Sequence, residues 1–348
     1  MKILAFETSC DDTSVAIFEN EKLLAMATKS QIKIHNETVV PEVAAREHAN
    51  SIFDVLQNVL TQTLDLKDID YIAVTVSPLL PSLMTTTVAS SISQTLKIPI
   101  LPINHIEAHI FSNFLDRKED EITFPLACLT VSHNEIYVME SMWEMQRVGF
   151  SDDAGEAFDK AAKMMLYPGP IISQLSQKWQ EKMENLVQKN IFPRVWLVKR
   201  EHNFSFSLKS AVKREVEIRI EKNKNILQND FNIFFEELNK KSLKNDILLT
   251  EDDKMELSFE FENAITEVLS WKLIDTALQN NLKTIMLAGV SANSKLRLEI
   301  DKLSKKNNIN FIYPKKNIYC MDNAAMIGIL AYYRIKYKKF EHKIIVKI

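Results

Sequence analysis

Strand-length apolar runs alternate with helix-length segments twice along this chain, which restricts it to an α/β architecture. In the first cycle, residues 2–7 and 13–18 flank the polar stretch Thr8-Ser9-Cys10-Asp11-Asp12, which predicts two strands joined by a turn. Residues 22–28 predict a third strand. From Pro41 onward, Val43, Ala44, Ala45, Ile52, Val55, Leu56 and Val59 recur at helical spacing, so 41–63 is expected to be a helix. Strand, helix and strand follow at 70–76, 83–96 and 98–103. The second cycle predicts a hairpin from 125–131 and 135–139 and a helix over 155–165. Long helices at 255–280 and 291–307 enclose a strand at 283–288, and a strand at 310–313 precedes a last helix at 322–337. Residues 211–250, rich in Lys, Asn and Glu, are read as a helical insertion with flexible parts. Two such cycles predict two lobes, each a mixed sheet flanked by helices.

Composition removes several function classes. A net charge of -3 over 348 residues is not that of a general electrostatic trap for nucleic acid, although a local basic patch is compatible with it. Three scattered cysteines, Cys10, Cys128 and Cys320, cannot frame a disulfide scaffold and fit a reducing cytosol. Residues 71–96 carry no charge, but their ten Ser/Thr and two Pro predict strand, loop and helix rather than a membrane span. Residues 1–15 do not read as a signal peptide, so a cytoplasmic, non-membrane protein is expected.

His105-Ile-Glu-Ala-His109 is the stretch with the most chemistry. Asn104 is a good N-cap, Pro102 stands just upstream, and nothing after His105 breaks a helix. Histidines four apart then share one helix face, where both imidazoles can reach one metal ion and leave positions for a carboxylate and a substrate. By spacing alone, two core or surface histidines would look the same. A metallopeptidase is disfavoured, because the Glu stands between the histidines at the wrong place for His-Glu-x-x-His.

Seven blocks in order resemble the TsaD family of tRNA threonylcarbamoyl transferases. They are Leu4-Ala5-Phe6-Glu7-Thr8-Ser9-Cys10-Asp11-Asp12; His35 with Val39-Val40-Pro41-Glu42 and Ala45-Arg46-Glu47-His48; and His105-x-Glu107-x-His109. Asp152 to Lys160, Phe204-Ser205-Phe206-Ser207, Gly289-Val290-Ser291-Ala292-Asn293, and Asp322-Asn323 with Ala325-Met326-Ile327 complete the set.

The resemblance implies a two-lobe actin-like (ASKHA) fold with the active site in the interlobe cleft. Its lobes would be 1–104 plus 324–348 and 105–323, the latter carrying the 211–250 insertion. It implies transfer of threonylcarbamoyl from threonylcarbamoyl-AMP to N6 of the adenosine beside the anticodon in ANN-decoding tRNA. His105, His109 and Asp322 would hold one divalent metal, iron first and zinc second. Asp322 would also suit a helix N-cap. Asp11 would be the catalytic carboxylate. Thr130, Val131, Ser132, His133, Asn134, Asp159, Gly169 and Asn293 would bind the adenylate. The implied partners are tRNA, an inactive paralogous subunit and a small P-loop ATPase. A kinase or ATPase of the same fold, or an impaired scaffold of the same complex, are the competing readings.

One departure is systematic. The chain has only five glycines, and the family's glycine-rich motifs have lost glycine while keeping both flanks. Ser-Gly-Gly-His is Ser132-His133, Pro-Gly-Gly-Pro is Pro168-Gly169-Pro170, and Ala-Gly-Gly-Val is Ala288-Gly289-Val290. Gly-Pro-Gly is Ser77-Pro78-Leu79, and glycines are missing after Thr38 and after Ser207. Random substitution would not single out one residue type. The pattern points to glycine codons dropped from the conceptual translation, and the competing reading is a chain with tightened loops. The intact mass of the native protein should therefore exceed 40.1 kDa by whole glycine residues, and a mass of 40.1 kDa would favour tightened loops.

Overall fold

The computed structural model describes residues 1–31, 41–63, 65–77, 82–131, 134–150, 154–165, 171–183, 186–194, 208–230, 248–289, 291–339 and 344–346. The first sheet contains β1 (Lys2–Glu7), β2 (Asp12–Glu19), β3 (Lys22–Ser30), β4 (Tyr71–Ser77) and β5 (Ile100–Asn104), in the order β3-β2-β1-β4-β5. Strands β1, β2 and β3 run antiparallel in sequence, whereas β4 and β5 join parallel to β1. Helix α1 (Pro41–Thr63) and helix α2 (Ser82–Leu96) cover one face. Strand β1 is central and apolar at consecutive positions because both of its faces are covered. Leu4 and Phe6 point into the core under α1 and α2, and Ile3 and Ala5 into the core on the other side.

The second sheet contains β6 (Leu126–Thr130), β7 (Glu135–Ser141), β8 (Glu144–Phe150), β9 (Thr284–Ala288), β10 (Asn310–Ile312) and β11 (Ile344–Val346), in the order β10-β9-β6-β7-β8-β11. Read from β8 to β10, it repeats the first sheet: a three-strand meander whose first strand is joined by two parallel strands. This duplication of topology is the actin-like (ASKHA) arrangement. Helix α3 (His105–Phe111), helix α8 (Ser294–Lys306) and helix α9 (Ala324–Tyr337) belong with the two sheets. One buried cluster joins Ile3, Ala5 and Phe18 of the first sheet to Leu126, Cys128 and Met286 of the second through α3 and α9.

By contact density, Met1–Val148 with Leu273–Ile348 form one unit, which holds both sheets, and Gly149–Lys272 form another. The second unit contains α4 (Ala154–Met164), α5 (Ile172–Lys182), α6 (Lys209–Asp230) and most of α7 (Glu251–Gln279). The expected 211–250 insertion is helical through α6, and its residues 231–247 lie outside the described set. Strands β8 and β11 and helix α5 were not expected from the sequence. No helix among the described residues is long and apolar enough to cross a membrane.

Asparagine takes most of the left-handed turn positions among the described residues. Among the described residues, eight non-glycine residues take positive φ, and five of them are asparagines: Asn20, Asn134, Asn190, Asn281 and Asn308. Asparagine tolerates the left-handed region better than other side chains, so it serves turns that glycine otherwise would. Gly289, at φ 76° directly after β9, is the glycine that does need this freedom.

Two features hold α9 in place. Gly328 lies where a Cβ would overlap the fully buried Phe18 ring and come within 3.3 Å of Ala5 Cβ, so the helix meets the sheet at backbone distance. Arg334 donates from Nη2 to Glu107 Oε2 on α3, and both side chains are almost fully buried.

Gly328→Val should lower stability to urea by about 3 kcal/mol, because neither Phe18 nor the sheet can give way. Arg334→Met should cost about 3–5 kcal/mol by leaving the Glu107 charge buried alone. Adding Glu107→Gln to Arg334→Met should recover much of that loss in the same unfolding experiment.

Candidate metal centre and active site

Helix α3 has only seven residues, too few to persist alone in water. Asn104 starts it, with its side-chain oxygen accepting from the N–H groups of Ile106 (2.9 Å) and Glu107 (3.1 Å). Glu107 faces Arg334, and Asn113 beyond the helix donates to Leu287 O of β9 at 3.0 Å. The helix is thus fastened at its start, middle and far end, with both histidines buried.

Asp322 comes to these histidines from 213 positions along the chain, in the turn before α9. The cap of α9 is Asn323, not Asp322. Asn323 Oδ1 accepts from Met326 N (3.1 Å), while its Nδ2 donates to Ile318 O (3.1 Å) and Met321 O (2.5 Å). Ser14 of β2 accepts the Ala324 N–H at 3.0 Å, which anchors this turn on the first sheet. The expected cap role of Asp322 therefore falls to its neighbour, and its carboxylate turns to the histidines.

Three donor atoms converge there. His109 Nε2 stands 3.0 Å from both His105 Nε2 and Asp322 Oδ1, and His105 Nε2 stands 3.6 Å from the same oxygen. Tetrahedral ligands about 2.0–2.1 Å from a zinc-like ion stand ~3.3 Å apart, so this spacing fits one ion. Electrostatics agree. Burial works against a charged His105, but the Asp322 and Glu7 carboxylates outweigh it and raise its pKa to about 9. Burial and the neighbouring His105 charge push His109 down. The field that holds a proton on His105 would equally hold a cation.

The turn between β1 and β2 closes on this group. Asp12 is pushed up to about 6 by burial first, against its bond to Ser30, with the charges of Asp11, Asp322 and Glu7 adding to the rise. Burial, then Asp322 and Asp11, also raises the Cys10 thiol. Asp11, partly exposed, is held through its backbone, its carbonyl accepting from Gln31 N at 2.8 Å. His48 of α1 braces the same turn. Its Nε2–H donates to Cys10 O at 3.0 Å, so its Nδ1 accepts from Thr13 Oγ1 (2.8 Å) and Gln31 Nε2 (3.1 Å).

The other expected residues are more dispersed. Thr130 ends β6 and donates to Glu135 O (3.2 Å), Val131 N bonds Ala288 O (2.9 Å), and Asn134 is buried at φ 46° in the hairpin turn. The end of β6 therefore lies beside the end of β9, where Gly289 follows. Asn293 caps α8 by accepting from Leu296 N at 2.8 Å. Asp159 lies half-buried on α4, in the second unit. Ser132, His133 and Gly169 lie outside the described residues. Sequence reasoning assigned no role to Glu7, Thr75 or His48. Glu7 left one signal: an acidic residue closing the apolar run Ile3–Phe6.

A family model described as TsaD, tRNA N6-adenosine threonylcarbamoyltransferase, matches residues 22–329. The tRNA N6-adenosine threonylcarbamoyltransferase of Persephonella marina is 36% identical over 351 residues, spanning 97% of this chain and 91% of the relative. The Staphylococcus haemolyticus protein of the same description is 37% identical over 346 residues, spanning 95% and 90%. Among solved structures, HypF from T. kodakarensis superposes with a TM-score of 0.51 at 11% identity, over 97% of this chain and 48% of HypF, a likeness of fold alone. The ordered motifs, the duplicated sheets and these matches agree: the chain belongs to the TsaD family of tRNA N6-adenosine threonylcarbamoyltransferases.

Proposed function

We propose that this protein passes the threonylcarbamoyl group of threonylcarbamoyl-AMP to N6 of the adenosine beside the anticodon in ANN-decoding tRNA, with His105, His109 and Asp322 holding one divalent metal ion. The observation that carries the metal reading is the convergence of two buried imidazole nitrogens and one carboxylate oxygen within 3.0–3.6 Å. Two imidazoles and a carboxylate suit iron, with zinc as the second choice. A bound ion would supply Lewis-acid polarisation and help to orient the threonyl moiety.

The chain's own groups would do the rest. The exocyclic amine is a weak nucleophile because its lone pair is delocalised into the purine. Asp11, at the mouth of the β1–β2 turn, would take the N6 proton as nitrogen bonds to the carbamoyl carbon and the bond from that carbon to the AMP oxygen breaks. AMP leaves with the electron pair. Thr130, Val131, Ser132, His133 and Asn134 would seat the phosphate in the second hairpin turn through backbone N–H groups. Asp159, Gly169 and Asn293 would bind the adenosine portion. The two sheets would be the cores of lobes 1–104 with 324–348 and 105–323. A bacterial-type assembly with an inactive paralogue and a small P-loop ATPase, in the cytoplasm, fits this reading. A phosphoryl-transfer enzyme would hold Mg²⁺ by carboxylates and has no need of an imidazole pair.

With threonylcarbamoyl-AMP, ANN-decoding tRNA and its partner subunits, the metal-loaded protein should form threonylcarbamoyladenosine, read by nucleoside mass spectrometry. His109→Ala should lose the metal and slow product formation at least about 100-fold, and Asp11→Asn should slow it by about 10²–10⁴ with metal retained. Wild-type rates in His109→Ala, or bound metal without product in the wild type, would overturn the reading.

A further inference from the structure

Glu7, at the end of β1, is a fully buried carboxylate. Its Oε1 accepts the Ser9 N–H at 2.6 Å, and its Oε2 accepts the Thr75 hydroxyl of β4 at 2.5 Å. The third neighbour of this carboxylate is His105 Nδ1, 3.4 Å from Oε2. Ser9 Oγ lies 3.0 Å from the same nitrogen. Among the described residues, no Lys or Arg pairs with Glu7, whereas Glu107 has Arg334.

This geometry sets the tautomer. An ionised carboxylate can only accept, so the His105 nitrogen facing it must carry hydrogen. With Nδ1 as N–H, the neutral ring presents its lone pair at Nε2, the atom that faces His109 Nε2 and Asp322 Oδ1. A carboxylate behind a ligating imidazole orients the ring and raises its donor strength. His109 lacks such support, since its buried Nδ1 has no hydrogen-bond partner among the described residues.

We infer that Glu7, held by Thr75 and the Ser9 backbone, is a positioning residue that orients His105 through Nδ1 toward a divalent ion at His105, His109 and Asp322. The inference rests on the metal-site reading proposed above. It makes the two histidines unequal: His105 is held by a charge, and His109 by packing.

Cobalt(II) titration of the full-length, metal-stripped protein tests this, with affinity and visible d–d bands as readouts independent of turnover. The wild type should bind one ion. Glu7→Gln should bind it about 10- to 100-fold more weakly with altered bands, because its amide can donate to Nδ1 and move the ring hydrogen onto Nε2. Thr75→Val, which keeps the carboxylate but frees its Oε2, should fall between the two. Wild-type affinity and bands in Glu7→Gln would overturn the inference. Should Glu7→Gln lose its far-UV circular dichroism, Thr75→Val decides, and wild-type affinity and bands there would overturn it. A wild-type protein that binds no cobalt would sink the metal-site reading itself and this inference with it. Cobalt bound by the wild type, lost in His109→Ala and unchanged in Glu7→Gln would leave that reading standing and remove the inference alone.

Discussion

Seven residues of helix, buried and fastened to both sheets, present the two imidazoles of the candidate metal site. A helix that short cannot hold its shape by its own hydrogen bonds. The Asn104 cap, the Glu107–Arg334 ion pair and the Asn113 bond to β9 hold it instead. Glu107 stands between the two histidines in sequence but points away from them, to α9. The same short motif thus builds the site with two side chains and clamps it to the helix that follows Asp322 with the third. A buried ion pair adds little net stability against an apolar substitute, but removing one partner is costly. Here it also sets the approach of α3 to α9, and with it the distance from Asp322 to the histidines.

Around that helix the chain accumulates negative charge. Besides its burial, the charges of Asp11, Asp322 and Glu7 push Asp12 up, and those of Asp322 and Glu7 hold a charge on His105. Such crowding costs folding energy unless a cation relieves it. A cation held by the imidazole pair and Asp322 would relieve that crowding. The pairing of each acid differs: Glu7 has two protein donors and one imidazole, whereas Asp322 reaches two imidazoles.

Much of this was legible beforehand. Helix α1 spans Pro41–Thr63 as its apolar spacing and starting proline predict, and Asn104 caps α3 as its residue type predicts. Strands such as β1, β6 and β9 are short apolar runs whose length announces them. Elements with mixed composition escaped, namely β8, with Glu144, Gln146 and Arg147, and α5, with its many polar residues. The caps were read one residue early at α9, because Asp322 and Asn323 are both good caps and only the backbone shows which one is used. His48 and Thr75 could not be assigned a place. Each acts through a partner on another strand or turn, 35 and 68 positions away.

Residue types and their local spacing were enough to establish an α/β chain, the imidazole pair on one helix face, an acidic turn after the first strand and the ordered motifs of its family. These are local properties, set by periodicity and by neighbours within a few positions. The tertiary structure alone decided that the two sheets repeat one topology, that Asp322 meets the histidines, and that Glu7 stands behind His105. Such relations depend on long-range strand order and on buried partners, which no local pattern encodes. It also decided which side chains take the left-handed backbone in the described turns: asparagine occupies most of those positions, since its side chain can bond locally and tolerate that backbone.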